Sequence, residues 1–164
     1  MTGTLVLRNR QRICRVDLRL LRRIVKALLS VLPGPENCEL GVYLVGSREI
    51  TRLNETFLQH RGPTVVITFN YGEGAEGAPP NGEIFICLDE AVGQARQFGT
   101  SWQSELVRYT VHGILHLRGF DDTRASDRRK MKREEERLLG KLGREFDLRK
   151  LGLRTPARAP RMAR

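Results

Sequence analysis

Apolar residues recur along this chain at two spacings, and the switches between them mark the elements. Leu5-Val6-Leu7 is a short apolar run that reads as a strand. From Leu18 through Leu21, Ile24, Leu28 and Leu32 the step becomes three to four residues, the signature of a helix burying one face. Asp17 is placed to cap that helix, and Pro33-Gly34-Pro35 to end it. Leu40 to Val45 predicts a second strand, and Ser47 opens a helix whose Ile50, Leu53 and Phe57 face inward. The β-branched run Thr64 to Phe69 predicts a third strand. A Gly- and Pro-rich stretch from Asn70 to Gly82 is too long for a hairpin turn and reads as a loop. Glu83 to Leu88 predicts a fourth strand, followed by helices over Asp89–Phe98, Ser101–Arg118 and Ser126–Leu142. Strands come early and helices late, which predicts an α+β domain: a small sheet of about four strands covered by helices, with no internal repeat.

Composition narrows the class. With 164 residues, 40% of them hydrophobic, the chain can fill one core, and residues 1–153 read as a single domain. The Ala/Pro/Arg composition of residues 154–164 cannot pack, so a basic tail, disordered until it meets a partner, is expected there. No run approaches the apolar length of a membrane span, and Met1 to Arg10 lacks the apolar core of a secretory signal. A cytoplasmic protein with no membrane partner is the expectation. Cys14, Cys38 and Cys87 are odd in number and scattered, which excludes a disulfide framework and a cysteine zinc cluster and predicts buried thiols.

The formal net charge of +10 sits at the two ends. Arg8, Arg10, Arg12, Arg15, Arg19, Arg22, Arg23 and Lys26 face only Asp17 in the first 26 residues, and the last eleven carry four arginines and no acid. The middle is close to neutral. Such asymmetry points to a polyanion, although charge alone does not separate RNA from DNA. Membrane-surface binding would need exposed apolar residues opposite the basic ones.

One stretch carries chemistry: His112-Gly113-Ile114-Leu115-His116-Leu117-Arg118-Gly119-Phe120-Asp121-Asp122. Positions i and i+4 share a helix face, so His112 and His116 aim two imidazoles at one point. Gly119 can end the helix in a left-handed turn, which lets Asp121 or Asp122 approach that point from the far side. A histidine pair at this spacing arises by chance, but the chain has only three histidines, and a glycine break and acids follow these two. Two histidines and one carboxylate leave a fourth position open, the form of a catalytic zinc. Where H-E-x-x-H peptidases carry their general base, this chain has Gly113, so peptide hydrolysis by that route is not expected. Attack on a phosphodiester suits the site better.

HGILHLRGFDD resembles the signature of the YbeY family of bacterial rRNA maturation factors, H-G-x-L-H-L-x-G-[YF]-D-H. The likeness continues in Leu53-Asn54 with Phe57, in Pro63 to Phe69, in Gly82-Glu83-Ile84-Phe85-Ile86, in Glu105-Leu106 and in Met131 with Glu135, covering roughly residues 40 to 140 in order. The resemblance implies a zincin-like α+β fold, one zinc ion per chain, and metal-dependent endoribonuclease activity specific for single-stranded RNA. The implied tasks are maturation of the 3′ end of small-subunit rRNA and ribosome quality control. Ribosomal particles, a ribosome-associated GTPase and small-subunit platform proteins are the implied partners, and DNA is not.

Carried over residue by residue, His112 and His116 match the first two metal ligands, with His116 in the catalytic centre, and Asp122 replaces the third histidine. A carboxylate binds zinc at about the same distance, lowers the net charge of the centre and makes a harder metal such as manganese more acceptable. The family's groove arginine aligns with Leu58, leaving Arg61 as a candidate catalytic residue and His60 as its rival. Val65 replaces the usual aspartate of that segment. Two other classes stay open: a non-catalytic RNA-binding assembly factor with a structural metal, and a hydrolase acting on another substrate.

Overall fold

The computed structural model describes residues 3–32, 37–72 and 79–153. In chain order the elements are β1 (Thr4–Asn9), α1 (Leu18–Ser30), β2 (Glu39–Val45), α2 (Ser47–Phe57), β3 (Val66–Asn70), β4 (Asn81–Cys87), α3 (Leu88–Phe98), α4 (Trp102–Leu117) and α5 (Ala125–Glu145), closed by a 3₁₀ turn at Leu148–Leu151. The four strands form one mixed sheet in the order β1-β2-β4-β3. β1, β2 and β4 run parallel, and β3 pairs antiparallel to β4 at the edge. The tail at 154–164 and the Pro33-Gly34-Pro35 stop lie outside the described residues.

Alternation along the strands separates two cores, because successive side chains leave opposite faces of a sheet. Leu40, Val42 and Leu44 of β2 and Ile84 and Ile86 of β4 pack with α1, α4 and α5. Val45, Phe85 and Cys87 face the other way, toward Ile50 of α2 and Ile67. α1 folds as its spacing predicts: the Asp17 carboxylate accepts from the Leu20 N–H at 3.1 Å, and Leu21, Ile24, Val25, Leu28 and Leu29 are buried. Arg22 is spent on the fold, donating to the Leu5 carbonyl at 2.9 Å.

Three expectations need correction. Phe57, the last residue of α2, is 63% exposed; instead of entering the core it meets Phe69 edge-on, with ring centroids 5.7 Å apart. Cys38 and Cys87 are buried, but Cys14 is only half-buried, in a turn where the Gln11 side chain donates to its carbonyl at 2.7 Å. The loop between the last two strands is shorter than its composition suggests, since Asn70 pairs with Gly82 and both belong to the sheet. Among the described residues no helix is long and apolar enough to cross a membrane.

Candidate metal centre

α4 positions the two histidines. Ser101 caps it by accepting from the Ser104 N–H at 3.1 Å, and Leu106, Val107, Val111, Ile114 and Leu115 anchor it in the main core. His112 and His116 fall at the border of that buried face, each half-buried. Gly113, between them, lets the helix lie close on β4: a Cβ there would stand 2.8 Å from both Cδ1 and Cγ2 of Ile84. A glutamate at this position, as in H-E-x-x-H helices, has no room.

The end of α4 brings the carboxylate round. Gly119 adopts a left-handed φ of 94°, and the N–H groups of Gly119 and Phe120 donate back to the carbonyls of His116 and Leu115 at 3.0 Å each. This paired closure is a Schellman motif, and it reverses the chain as the glycine predicts. Asp121 then shapes the loop, accepting from the N–H of Asp122 at 2.7 Å and from the N–H and hydroxyl of Thr123 at 3.1 and 2.8 Å. The bonds from Thr123 and Asp122 hold its carboxyl below the usual carboxylate value. Arg128 pins the same loop by donating to the carbonyls of Asp122 and Thr123. Asp121 is thus the loop former and Asp122 the group presented. Asp121→Ala is expected to weaken metal binding by about 10–100-fold, the usual range for an outer partner; isothermal titration of the stripped protein reads it.

His112 Nε2 and His116 Nε2 face each other at 3.1 Å. Asp122 Oδ2 lies 3.4 Å from the latter and 3.9 Å from the former. Three donors about 2.0–2.2 Å from a shared tetrahedral ion stand about 3.3–3.6 Å apart, a range these three distances bracket. The ring hydrogens make the same point. His116 Nδ1 lies 3.1 Å from the Phe120 carbonyl, which can only accept, so that nitrogen carries the hydrogen. His112 Nδ1 lies 3.0 Å from the Glu135 carboxylate and donates to it in the same way. Both Nε2 lone pairs therefore point at one another and at a carboxylate, an arrangement that could hold a cation between them. The described His, Cys, Asp and Glu residues hold one group with the spacing of a metal site, and it is this one.

Behind the histidines stands a partner that sequence spacing did not assign. Glu135, on α5, is buried and accepts from His112 and, at 3.1 Å, from Arg108. Arg108 also pairs with Glu136. Burial alone would raise the Glu135 carboxyl, but the bonds from His112 and Arg108 outweigh it and the net shift is downward. Such a depressed group lends stability above its ordinary value of 4.5 and loses it as pH falls through the lower folded value. Glu135→Gln is accordingly expected to lower metal affinity by about 10–100-fold and to flatten the acid limb of the stability curve; thermal melts between neutral pH and the carboxylate range test the second effect. Met131 and Glu135 were visible as a motif, but the contact across two helices depends on how α4 and α5 pack.

His112 and Asp122 form one end of a cleft of about 480 Å³ between α4 and α5, which also takes in Arg108, Tyr109, Arg128 and Lys132. Arg61 and His60 are elsewhere, exposed on the loop after α2, where they line an open depression with Glu55 and Gln59 that shares no residue with the cleft. Leu58 is exposed on the same loop. Asn54 fastens that loop by donating to the Gly62 carbonyl at 3.0 Å. Arg19, Arg23 and Lys26 of α1 are exposed, with Arg23 resting 5.6 Å from the Phe146 ring just beyond α5.

A mixed sheet backed by a helix that carries both histidines, with a carboxylate returned by a tight turn, defines a zincin-like α+β protein. The chain belongs to the YbeY family: the family model described as endoribonuclease YbeY matches residues 7–143. Endoribonuclease YbeY of Chlorobium luteolum is 39% identical over 128 residues, spanning 78% of this chain and 90% of that one. The protein of the same name from Aquifex aeolicus is 41% identical over 115 residues, 70% of this chain and 76% of that one. In fold, a solution structure from Thermotoga maritima superposes with a TM-score of 0.66 at 22% identity, over 95% of this chain and all of that one.

Proposed function

We propose that this protein is a zinc-dependent endoribonuclease that cleaves single-stranded RNA during maturation of small-subunit rRNA in the cytoplasm, with a part in ribosome quality control. The observation that carries the reading is the pair of Nε2 atoms at 3.1 Å whose lone pairs face each other beside Asp122, with both Nδ1 hydrogens committed elsewhere. His112, His116 and Asp122 hold the ion, one per chain. A divalent ion there supplies a Lewis acid for the phosphoryl oxygens of the scissile bond.

The chain's own residues do the rest. Glu135 and the Phe120 carbonyl take up the Nδ1 side of each histidine, so that both present Nε2 to an ion. Arg108 balances the buried charge of Glu135. Lys132, exposed on the cleft rim, adds a positive charge where phosphates enter. The exposed cations of α1 draw RNA in from outside the cleft, and Arg61, exposed on the loop after α2, offers a phosphate contact away from it. The family's names point to RNA and not DNA; ribosomal particles and a ribosome-associated GTPase are the partners the family resemblance suggests.

Elemental mass spectrometry of the purified protein and a cleavage assay test the reading together. One equivalent of zinc per chain, with a single-stranded fragment cut and its duplex spared, is the expected result. Full metal loading with neither substrate cut would favour an RNA-binding assembly factor whose metal serves the fold.

A further inference from the structure

Phe98 has no structural occupation. It ends α3, one residue before the left-handed Gly99, and its ring is 63% exposed. Among the described residues no aromatic ring stacks on it and no cation sits over it, unlike Phe57, Phe69, Phe85, Phe120 and Phe146. Yet Phe98 lines the same cleft as His112 and Asp122.

Tyr109 and Met131 add a ring and a thioether to a lining that otherwise carries charged and polar side chains, Arg108, Arg128, Lys132 and Glu136 among them. Tyr109 lines the cleft, half-buried, with its ring packed against the main core. Glu105 is itself buried and held by the Thr100 hydroxyl at 2.8 Å, which makes that wall rigid. Met131 closes the floor with a polarisable thioether, a good partner for a ring. Tyr109 and His112 are three residues apart on α4, about 4.5 Å along the axis, so the ring and the metal end of the cleft lie within one helical turn of each other.

We infer that Phe98, Tyr109 and Met131 form a base-stacking pocket for one unpaired nucleotide, whose phosphate lies at the metal end of the cleft. The inference rests on the endoribonuclease reading for its ligand and adds a cause for strand selectivity. A paired base is buried in its own stack and has to leave it to enter such a pocket, so single strands bind at lower cost. Any of the four bases offers a ring face, so the pocket selects for unpaired RNA and only weakly for sequence.

The test is a 2′-O-methyl oligoribonucleotide carrying one 2-aminopurine, titrated into the metal-loaded protein and read by fluorescence and anisotropy. Wild type is expected to quench the probe on binding. Phe98→Leu keeps an apolar side chain at an exposed site, so folding is spared; it should bind roughly tenfold more weakly, lose the quench and narrow the gap between single strand and duplex. Phe98→Trp should restore all three. Equal binding and quenching by wild type and Phe98→Leu, or no binding by wild type, would overturn the pocket. The two readings fail separately: a Phe98-dependent quench in a metal-loaded protein that cuts no RNA keeps the pocket and removes the nuclease, whereas cleavage indifferent to Phe98→Leu does the reverse.

Discussion

Asp122→Ala is expected to strip the protein of tightly held metal and to lower RNA cleavage by at least about 10²–10³-fold, the scale on which removing one electrostatic contributor to a transition state is felt. The carboxylate stands 3.4 Å from His116 Nε2 and completes the donor set, so without it the two imidazoles offer only a bidentate site. Asp122→His is the informative companion. An imidazole binds zinc at about the distance a carboxylate does, so this variant should regain the ion while Asp122→Ala does not. Metal content by mass spectrometry and initial cleavage rates, measured on the same preparations, separate the outcomes. An Asp122→Ala protein that keeps a full equivalent of zinc would remove Asp122 from the ligand set.

The second large effect is on the fold. Gly113→Ala places a methyl group 2.8 Å from both Cδ1 and Cγ2 of Ile84 and 3.0 Å from its Cγ1, so swinging the Cδ1 end aside leaves the two branch carbons in the way. The better helix propensity of alanine, worth about 1 kcal/mol, works the other way. Overpacking of a tight core contact costs about 1–3 kcal/mol and wins, so a lower melting temperature is expected for Gly113→Ala. Gly113→Glu should be far worse, since it adds an unpaired carboxylate to the buried face between sheet and helix. Calorimetric melts of the three proteins settle the order; a Gly113→Glu protein as stable as wild type would show that α4 can lift from β4 freely.

These two positions also show what the chain discloses before it is folded. Spacing alone placed His112 and His116 on one face, and Gly119 announced the reversal, because each depends only on local backbone geometry. Between Asp121 and Asp122 the sequence was silent, and resemblance made the choice; the hydrogen bonds of Asp121 to Thr123 and to its neighbour's N–H give it a physical reason. Glu135 was visible as a residue but not as a partner, because its contact with His112 is made across two helices 23 positions apart. Phe57 departs from its expected place for a related reason: it obeys the helical period, but α2 ends there and its ring is left exposed against Phe69. Periodicity reports which face turns inward, and it does not report where the neighbouring element stops.

Cleavage of a labelled single-stranded fragment from the 3′ region of small-subunit rRNA, with wild type and His116→Ala purified side by side, tests the central claim most directly. The paired preparation matters because a contaminating nuclease would survive in both. Cutting by wild type alone, stopped by a chelator and restored by zinc, is the predicted result. Equal cutting by both proteins, or binding by both with no cutting by either, would contradict a catalytic metal centre at His112, His116 and Asp122.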